Sequence, residues 1–241
     1  MATRKEFTQP IKEKIKKEQG FFHMYEFIQA ALFCFAALFP VLNPFGTAVI
    51  FVSFTKGLSK KAIHRLALRV AFNTFILLLV VLLVGTWILK IFGISVPIVQ
   101  VAGGLVVAYI AWSMLQKPSD DIDKKRADAS DYDDKKINEL AFFPLTMPFT
   151  AGPGAMAVTL AVSAHEMGHN SLIRIASGQV AAIAGILLSA IVVFICYGYA
   201  DRLTKRLGAT GERVIMRIFS FINFCIGLEI VWHGVQALLG L

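Results

Sequence analysis

Residues 39–46 read Phe-Pro-Val-Leu-Asn-Pro-Phe-Gly, and a related segment, Phe-Pro-Leu-Thr-Met-Pro-Phe, returns at residues 143–149. Four of the seven aligned positions are identical, including both prolines, and glycine follows each copy, at Gly46 and in Gly152-Pro153-Gly154. Because proline removes a backbone donor and clashes with the preceding turn, prolines four residues apart predict a broken helix at each copy. The repetition predicts that the chain consists of two related halves.

The composition around these segments indicates a membrane protein. Of the 241 residues, 56% are apolar and 17% are charged, against about 45–50% and about 25% in an ordinary globular domain. Apolar segments at 27–55, 70–89, 91–116, 140–165, 175–200 and 218–241 each reach the roughly 20 residues that a membrane helix needs. They lack the alternation of barrel strands, so the predicted fold is an all-α integral membrane protein with six transmembrane helices.

The predicted organisation is a pair of three-helix repeats, 23–116 and 140–241, in which helices one and four are broken. An odd number of spans in each repeat inverts the second repeat relative to the first. Residues 117–139 form a charged cytoplasmic linker between them. Residues 1–22 form a basic extension, which is either an amphipathic helix on the membrane surface or a solvated segment.

The distribution of basic residues predicts the orientation. Sixteen of the Lys and Arg residues follow the first, third and fifth spans, whereas the loops after the second and fourth spans hold only Lys90 and Arg174. Basic loops face the cytoplasm, which places both termini outside, although the six basic residues of the extension count against this. The net charge of +8 therefore reflects loops near an anionic leaflet, and no nucleic-acid partner is predicted.

The two helix breaks are the predicted binding site. Inside a membrane, broken backbone is tolerated only where it is buried in protein or lines a cavity, and the restarted half-helices present N–H groups that hold anions such as a carboxylate. Paired breaks in inverted halves are typical of a secondary transporter, and the alternative is a pair of kinks that only shape packing. The polar side chains there either bind substrate or cap freed backbone. The predicted substrate-binding residues are Asn43, Pro44, Gly46, Thr47, Thr146, Thr150, Gly152 and Gly154.

These motifs resemble the MarC family. The resemblance is carried by Asn43-Pro44-Phe45-Gly46, by Phe92-Gly93-Ile94-Ser95 with Ala102-Gly103-Gly104, and by Pro144 with Ala151-Gly152-Pro153-Gly154, and it covers residues 24–240. It implies a multi-pass protein of the bacterial inner membrane, similar to the SnatA-type transporters of small neutral amino acids such as glycine and alanine. The chain departs from the family pattern at Ser220, at Glu229 and in its basic extension.

Two further features allow other functions. Glu229 is the intramembrane acid of the sixth span, so it is either a site for coupling to H⁺ or Na⁺ or a carboxylate near the outer interface or paired with Arg217 or His233. His165-Glu166-Met167-Gly168-His169 matches the HExxH pattern of zinc proteases, but its context at the end of the fourth span favours an exposed loop. We expect no enzyme activity, no metal and no cofactor. A zinc-dependent membrane protease, a channel and a non-transporting membrane protein are the alternatives.

Overall fold

The computed structural model describes residues 24–55, 57–116, 134–167 and 172–240, and these residues contain helices and no strand. The first half has α1 (Met24–Leu42), α2 (Pro44–Thr55), α3 (Lys60–Ile91) and α4 (Val96–Gln116). The second half has α5 (Asp134–Leu140), the wide-turn segment Ala141–Thr150, α6 (Pro153–Met167), α7 (Leu172–Gly198) and α8 (Ala200–Leu239). The extension 1–22 and most of the predicted linker lie outside the described residues.

The predicted all-α membrane fold is confirmed. Five stretches are long and apolar enough to cross a membrane by themselves: Met24–Leu42, Lys60–Ile91, Val96–Gln116, Arg174–Gly198 and Arg217–Leu239. A sixth candidate span combines Ile137–Thr150 with Pro153–His165, which are bent by 67° relative to each other. Large apolar side chains cover the outside of these helices, as a surface in contact with lipid requires.

The first break is a single residue. Asn43 has a φ of 45° and separates α1 from α2, which begins at Pro44. A proline without an N–H is well suited to the first helical position, so Pro44 starts α2. Of the two prolines in the first copy, only Pro44 coincides with the break, whereas Pro40 lies inside α1.

The second break is longer than the first. In the wide-turn segment Ala141–Thr150, Phe143 and Met147 have extended backbone angles, which residues preceding proline favour. The backbone N–H of Ala151 donates to the carbonyl of Thr146, five residues earlier, at 2.8 Å. The next helix begins at Pro153. Pro148, which aligns with Pro44 in sequence, therefore does not start a helix. Pro153 is instead the first residue of the helix after the second break.

Two buried clusters pack the broken helices against α3 and α7. One cluster joins α2 and the wide-turn segment to the first half of α3 and the second half of α7, through residues such as Phe51, Leu66, Leu145 and Val193. The other joins α1 and α6 to the second half of α3 and the first half of α7, through residues such as Leu38, Leu82, Ala155 and Ile186. The half-helices of each break are thus divided between the two clusters.

Helices α4 and α8 form a separate pair with very close backbones. A Cβ added to Gly104 would lie 2.7 Å from the carbonyl oxygen of Gly227, and one added to Gly234 would lie 2.8 Å from that of Pro97. Small residues allow such approach, which membrane helices use in place of a hydrophobic driving force. The contacts at Gly104, Gly227 and Gly234, here called the glycine seam, join the first half of α4 to the second half of α8.

Candidate functional site

A cavity of about 190 Å³ lies where the two broken helices restart. The first turns of α2 and α6 line it, together with residues 106–114 of α4 and with Ser220 and Asn223 of α8. Six of the eight predicted site residues are among its lining residues: Asn43, Gly46, Thr47, Thr150, Gly152 and Gly154. The structure therefore brings both breaks to one cavity, here called the central cavity.

The other two predicted residues do not line the central cavity. Pro44 is the first residue of α2. Thr146 is fully buried, and its hydroxyl donates to the carbonyl of Ala141 at 2.7 Å. Both residues shape the helix breaks from outside the cavity.

Asn43 caps the start of α2. Its side-chain Oδ1 accepts from the N–H of Gly46 at 3.1 Å, and its carbonyl accepts both the N–H of Thr47 at 2.9 Å and the Thr47 hydroxyl at 2.8 Å. Asparagine suits this position because it tolerates positive φ and its amide oxygen satisfies a free helical donor. Of the two roles considered for Asn43, the structure shows the capping role.

Among the residues that the structure describes, no side chain caps the start of α6 in the way that Asn43 caps α2. Its preceding residue is Gly152, and Pro153 has no N–H, so the first donors are the N–H groups of Gly154 and Ala155. The helical bonding begins with Met156, whose N–H donates to the carbonyl of Gly152 at 3.2 Å. Donors at a helix start have no acceptor within the helix, and the helix dipole adds partial positive charge there. Gly154 and Ala155 both line the central cavity.

Tyr197 of α7 joins the two breaks from behind the cavity. Its hydroxyl lies 2.6 Å from the hydroxyl of Thr150, which donates to the carbonyl of Leu145 at 2.6 Å. The side chain of Thr47 lies close to the Tyr197 hydroxyl. Tyr197 is 1% exposed and its ring stacks on Phe51 of α2, with centroids 4.6 Å apart. Tyr197 is not among the predicted site residues, because no local motif surrounds it.

Asn223 contributes the most unusual polar group of the central cavity. Its Oδ1 is buried and has no hydrogen-bond partner, although a buried polar atom without a partner costs roughly 1–3 kcal/mol. Ser220, one turn earlier on α8, is also buried and lines the cavity. Neither residue was predicted as part of the site; Ser220 was noted only as a departure from a family pattern.

Glu229 does not line the central cavity. Its Oε1 lies 3.2 Å from Nε2 of His233, one turn later on α8, and the two side chains are 66% and 62% exposed on the outside of the bundle. The position therefore offers no contact with a substrate bound between the breaks.

The HExxH segment lies at the end of α6, which the structure describes as far as Met167. The His165 ring is exposed, with its centroid 6.2 Å from that of Phe33. Gly168 and His169 lie outside the described residues. Across 24–55, 57–116, 134–167 and 172–240, no three His, Cys, Asp or Glu side chains are grouped as metal ligands would be.

The chain resembles a family of known membrane proteins along most of its length. The family model described as "MarC family integral membrane protein" matches residues 28–239. The chain is 28% identical over 215 residues to a UPF0056 membrane protein of Methanocaldococcus jannaschii, covering 88% of this chain and 98% of the relative. It is 29% identical over 203 residues to the UPF0056 inner membrane protein MarC of Escherichia coli O1:K1, covering 82% and 90%.

The protein of the same name from Salmonella paratyphi B is 28% identical over 200 residues, with 82% of this chain and 90% of the relative covered. No solved structure matches the chain. The family match spans both helix breaks, the central cavity and the α4–α8 pair. The chain therefore belongs to the MarC family of integral membrane proteins.

Proposed function

We propose that this protein is a secondary transporter of small neutral amino acids of the glycine and alanine class, with its substrate site in the central cavity. The observation that carries the proposal is the chemistry at the two sides of that cavity. Free backbone N–H groups lie at the start of α6, and an unpartnered carbonyl oxygen lies on Asn223 of α8. An amino acid zwitterion has a carboxylate that accepts from these N–H groups and an ammonium group that donates to the Asn223 oxygen.

The carboxylate of the substrate binds at the start of α6. Gly154 and Ala155 supply N–H donors there, and the dipole of α6 favours negative charge at this end. The start of α2 is less available, because Asn43 already occupies the N–H of Gly46. The two breaks are thus unequal, and α6 is the anion-binding one.

The α-ammonium group of the substrate binds at Asn223. Its Oδ1 is a good acceptor for an ammonium group, and a bound substrate would relieve the cost of burying that atom without a partner. A hydrogen bond to a charged group contributes about 1.5–3 kcal/mol, which corresponds to roughly a 10- to 150-fold change in affinity.

The size of the central cavity supports a small substrate. Pockets for drug-sized ligands occupy about 300–1,000 Å³, whereas this cavity has about 190 Å³. Its wall is also close-packed, because a Cβ added to Gly154 would collide with the side chain of Val107. These features favour glycine or alanine over amino acids with large side chains.

The helix packing supports an alternating-access mechanism in an inverted repeat. In the two halves, α1 corresponds to the wide-turn segment, α2 to α6 and α3 to α7. With these correspondences, the elements of one buried cluster in the first half are the counterparts of the elements of the other cluster in the second half. The glycine seam closes one end of the α4–α8 pair, while the cavity residues Met114 and Ser220 lie toward the other end. With both termini outside a bacterial inner membrane, that other end faces the cytoplasm.

Substitutions at Asn223 test this proposal. We expect Asn223→Leu to raise the KM for alanine uptake at least tenfold, because the acceptor is lost. Asn223→Asp keeps the acceptor oxygen and adds a second one, so uptake should persist. Asn73→Leu makes the same substitution on α3, away from the cavity lining, and is the matched control for Asn223→Leu. A KM that is unchanged in Asn223→Leu, in protein that inserts normally, would contradict the assignment.

A further inference from the structure

Glu229 and His233 lie at an unusual depth for an ionisable pair. The apolar span of α8 runs over Arg217–Leu239, so Glu229 is close to its centre. The packing of α8 against α4 indicates the same depth. A Cβ added to Gly227, two residues before Glu229, would lie 2.6 Å from the backbone nitrogen of Ala108, which is near the middle of Val96–Gln116. The Glu229 carboxylate is therefore near the mid-plane of the membrane.

The pair also faces away from the protein. Its two side chains are 62% and 66% exposed, and their 3.2 Å contact engages one carboxylate oxygen and one ring nitrogen. In the described spans, the other Asp, Glu, Lys and Arg residues lie toward the helix ends. Charged groups at mid-membrane depth are costly, and such residues nearly always face protein or water. Something other than lipid tails must therefore cover this surface.

The pair belongs to a continuous face of α8, opposite the glycine seam. Residues spaced by three or four positions share one side of a helix, and the exposed ones here form what we call the outer stripe. Cys225 lies at its middle, one turn before Glu229, and is exposed. Its aromatic members are about half exposed, with Phe221 at 59% and Trp232 at 53%. The outer stripe consists of Phe221, Cys225, Leu228, Glu229, Trp232 and His233.

We propose that the outer stripe is the interface of a homodimer, in which Glu229 of each copy pairs with His233 of the other. Copies of one chain insert in the same orientation, so a twofold axis along the membrane normal brings equal depths together. Glu229 and His233 are separated by only about 6 Å along the helix, at 1.5 Å per residue. Glutamate and histidine side chains are long enough to bridge this offset across the axis, so the acid of one copy reaches the base of the other and both pairs become buried in protein.

A second copy fits this surface because the stripe is self-complementary. It carries its own acid and its own base, flanked by apolar side chains that pack without further polar partners. Hydrogen bonds between polar side chains stabilise the association of adjacent membrane helices, and a twofold interface contains two such pairs. The inference does not rest on the proposed transport function, since none of these residues lines the central cavity.

The native cysteine tests the arrangement in the intact membrane. Cys225 is an exposed member of the outer stripe, one turn before Glu229, whereas Cys34 is buried. We expect a thiol oxidant to produce a covalent dimer from the full chain, and Cys225→Ser to abolish it while Cys34→Ser does not. The matched control moves the thiol to α7, in Cys225→Ser with Leu187→Cys, since Leu187 is 47% exposed at a similar depth. An equal yield from that control, or no dimer from the native chain, would overturn the proposal.

The ion pair is tested by subunit counting in liposomes over a range of protein-to-lipid ratios. We expect Glu229→Gln to weaken dimerisation at least about fivefold. Exchanging the two residues, in Glu229→His with His233→Glu, should restore it, because a reciprocal interface keeps both pairs. An unchanged equilibrium in Glu229→Gln, a ring of three or more copies, or no recovery in the exchanged variant would each contradict the interface.

Discussion

The contribution of Asn43 to the first helix break can be tested by measuring the free energy of unfolding of Asn43 variants. Its φ of 45° is unfavourable for residues other than glycine, asparagine and aspartate, and its Oδ1 accepts the N–H of Gly46 at 3.1 Å. Asn43→Ala loses the cap, at about 1 kcal/mol, and incurs the cost of a left-handed backbone, at about 1–2 kcal/mol. We therefore expect a loss of about 2–3 kcal/mol, whereas Asn43→Gly should cost only a few tenths, because glycine accepts this φ.

The assay is equilibrium unfolding of the purified protein in mixed micelles, which gives the free energy of unfolding. Gly93 supplies the control, because its φ is 66° and an added Cβ would meet nothing within 4 Å. Gly93→Ala thus measures the backbone cost alone, at about 1–2 kcal/mol. The reasoning would be refuted if Asn43→Gly were as damaging as Asn43→Ala, or if Asn43→Ala cost no more than Gly93→Ala.

Two further predictions concern the same breaks. A Cβ at Gly46 would lie 2.9 Å from Cγ of Asn43, so Gly46→Ala should displace the Asn43 cap. The losses of unfolding free energy in Gly46→Ala and Asn43→Gly should therefore sum to more than the loss in the double variant. Full additivity would show that the cap survives in Gly46→Ala. Tyr197→Phe removes the hydroxyl that lies 2.6 Å from that of Thr150, and it should lower the free energy of unfolding by about 0.5–1.5 kcal/mol. The control is Tyr199→Phe, which should change the free energy of unfolding little because the Tyr199 side chain is 52% exposed. Equal effects of the two substitutions would argue against a stabilising Tyr197–Thr150 hydrogen bond.

The positions of the breaks could be predicted because proline and glycine act locally. Asn43-Pro44 and Gly152-Pro153 interrupt their helices for reasons contained in a few residues. The restart of the second broken helix was less predictable, because Pro148 is absorbed into a wide turn and Pro153 begins α6 instead. The alignment of the two copies therefore located the breaks but not their equivalent residues.

The other half of the site could not be predicted in the same way. Tyr197 and Asn223 come from α7 and α8, and they reach the breaks only because those helices pack with particular faces inward. Hydropathy does not specify that face, since apolar residues surround both helices. The direction of the Glu229 side chain could not be predicted for the same reason. Its presence in the sixth span was evident from the sequence, but the side chain points outward because the glycine seam packs the opposite side of α8 against α4.

The central claim is that a small zwitterion binds in the central cavity and is carried across the membrane. Counterflow in proteoliposomes tests this most directly, with labelled alanine, a panel of unlabelled competitors, and imposed H⁺ or Na⁺ gradients as separate arms. We predict saturable exchange that glycine and alanine block, that large amino acids leave intact, and that Asn223→Leu weakens. Absence of exchange in folded, inserted protein, or exchange that Asn223→Leu leaves unchanged, would contradict it.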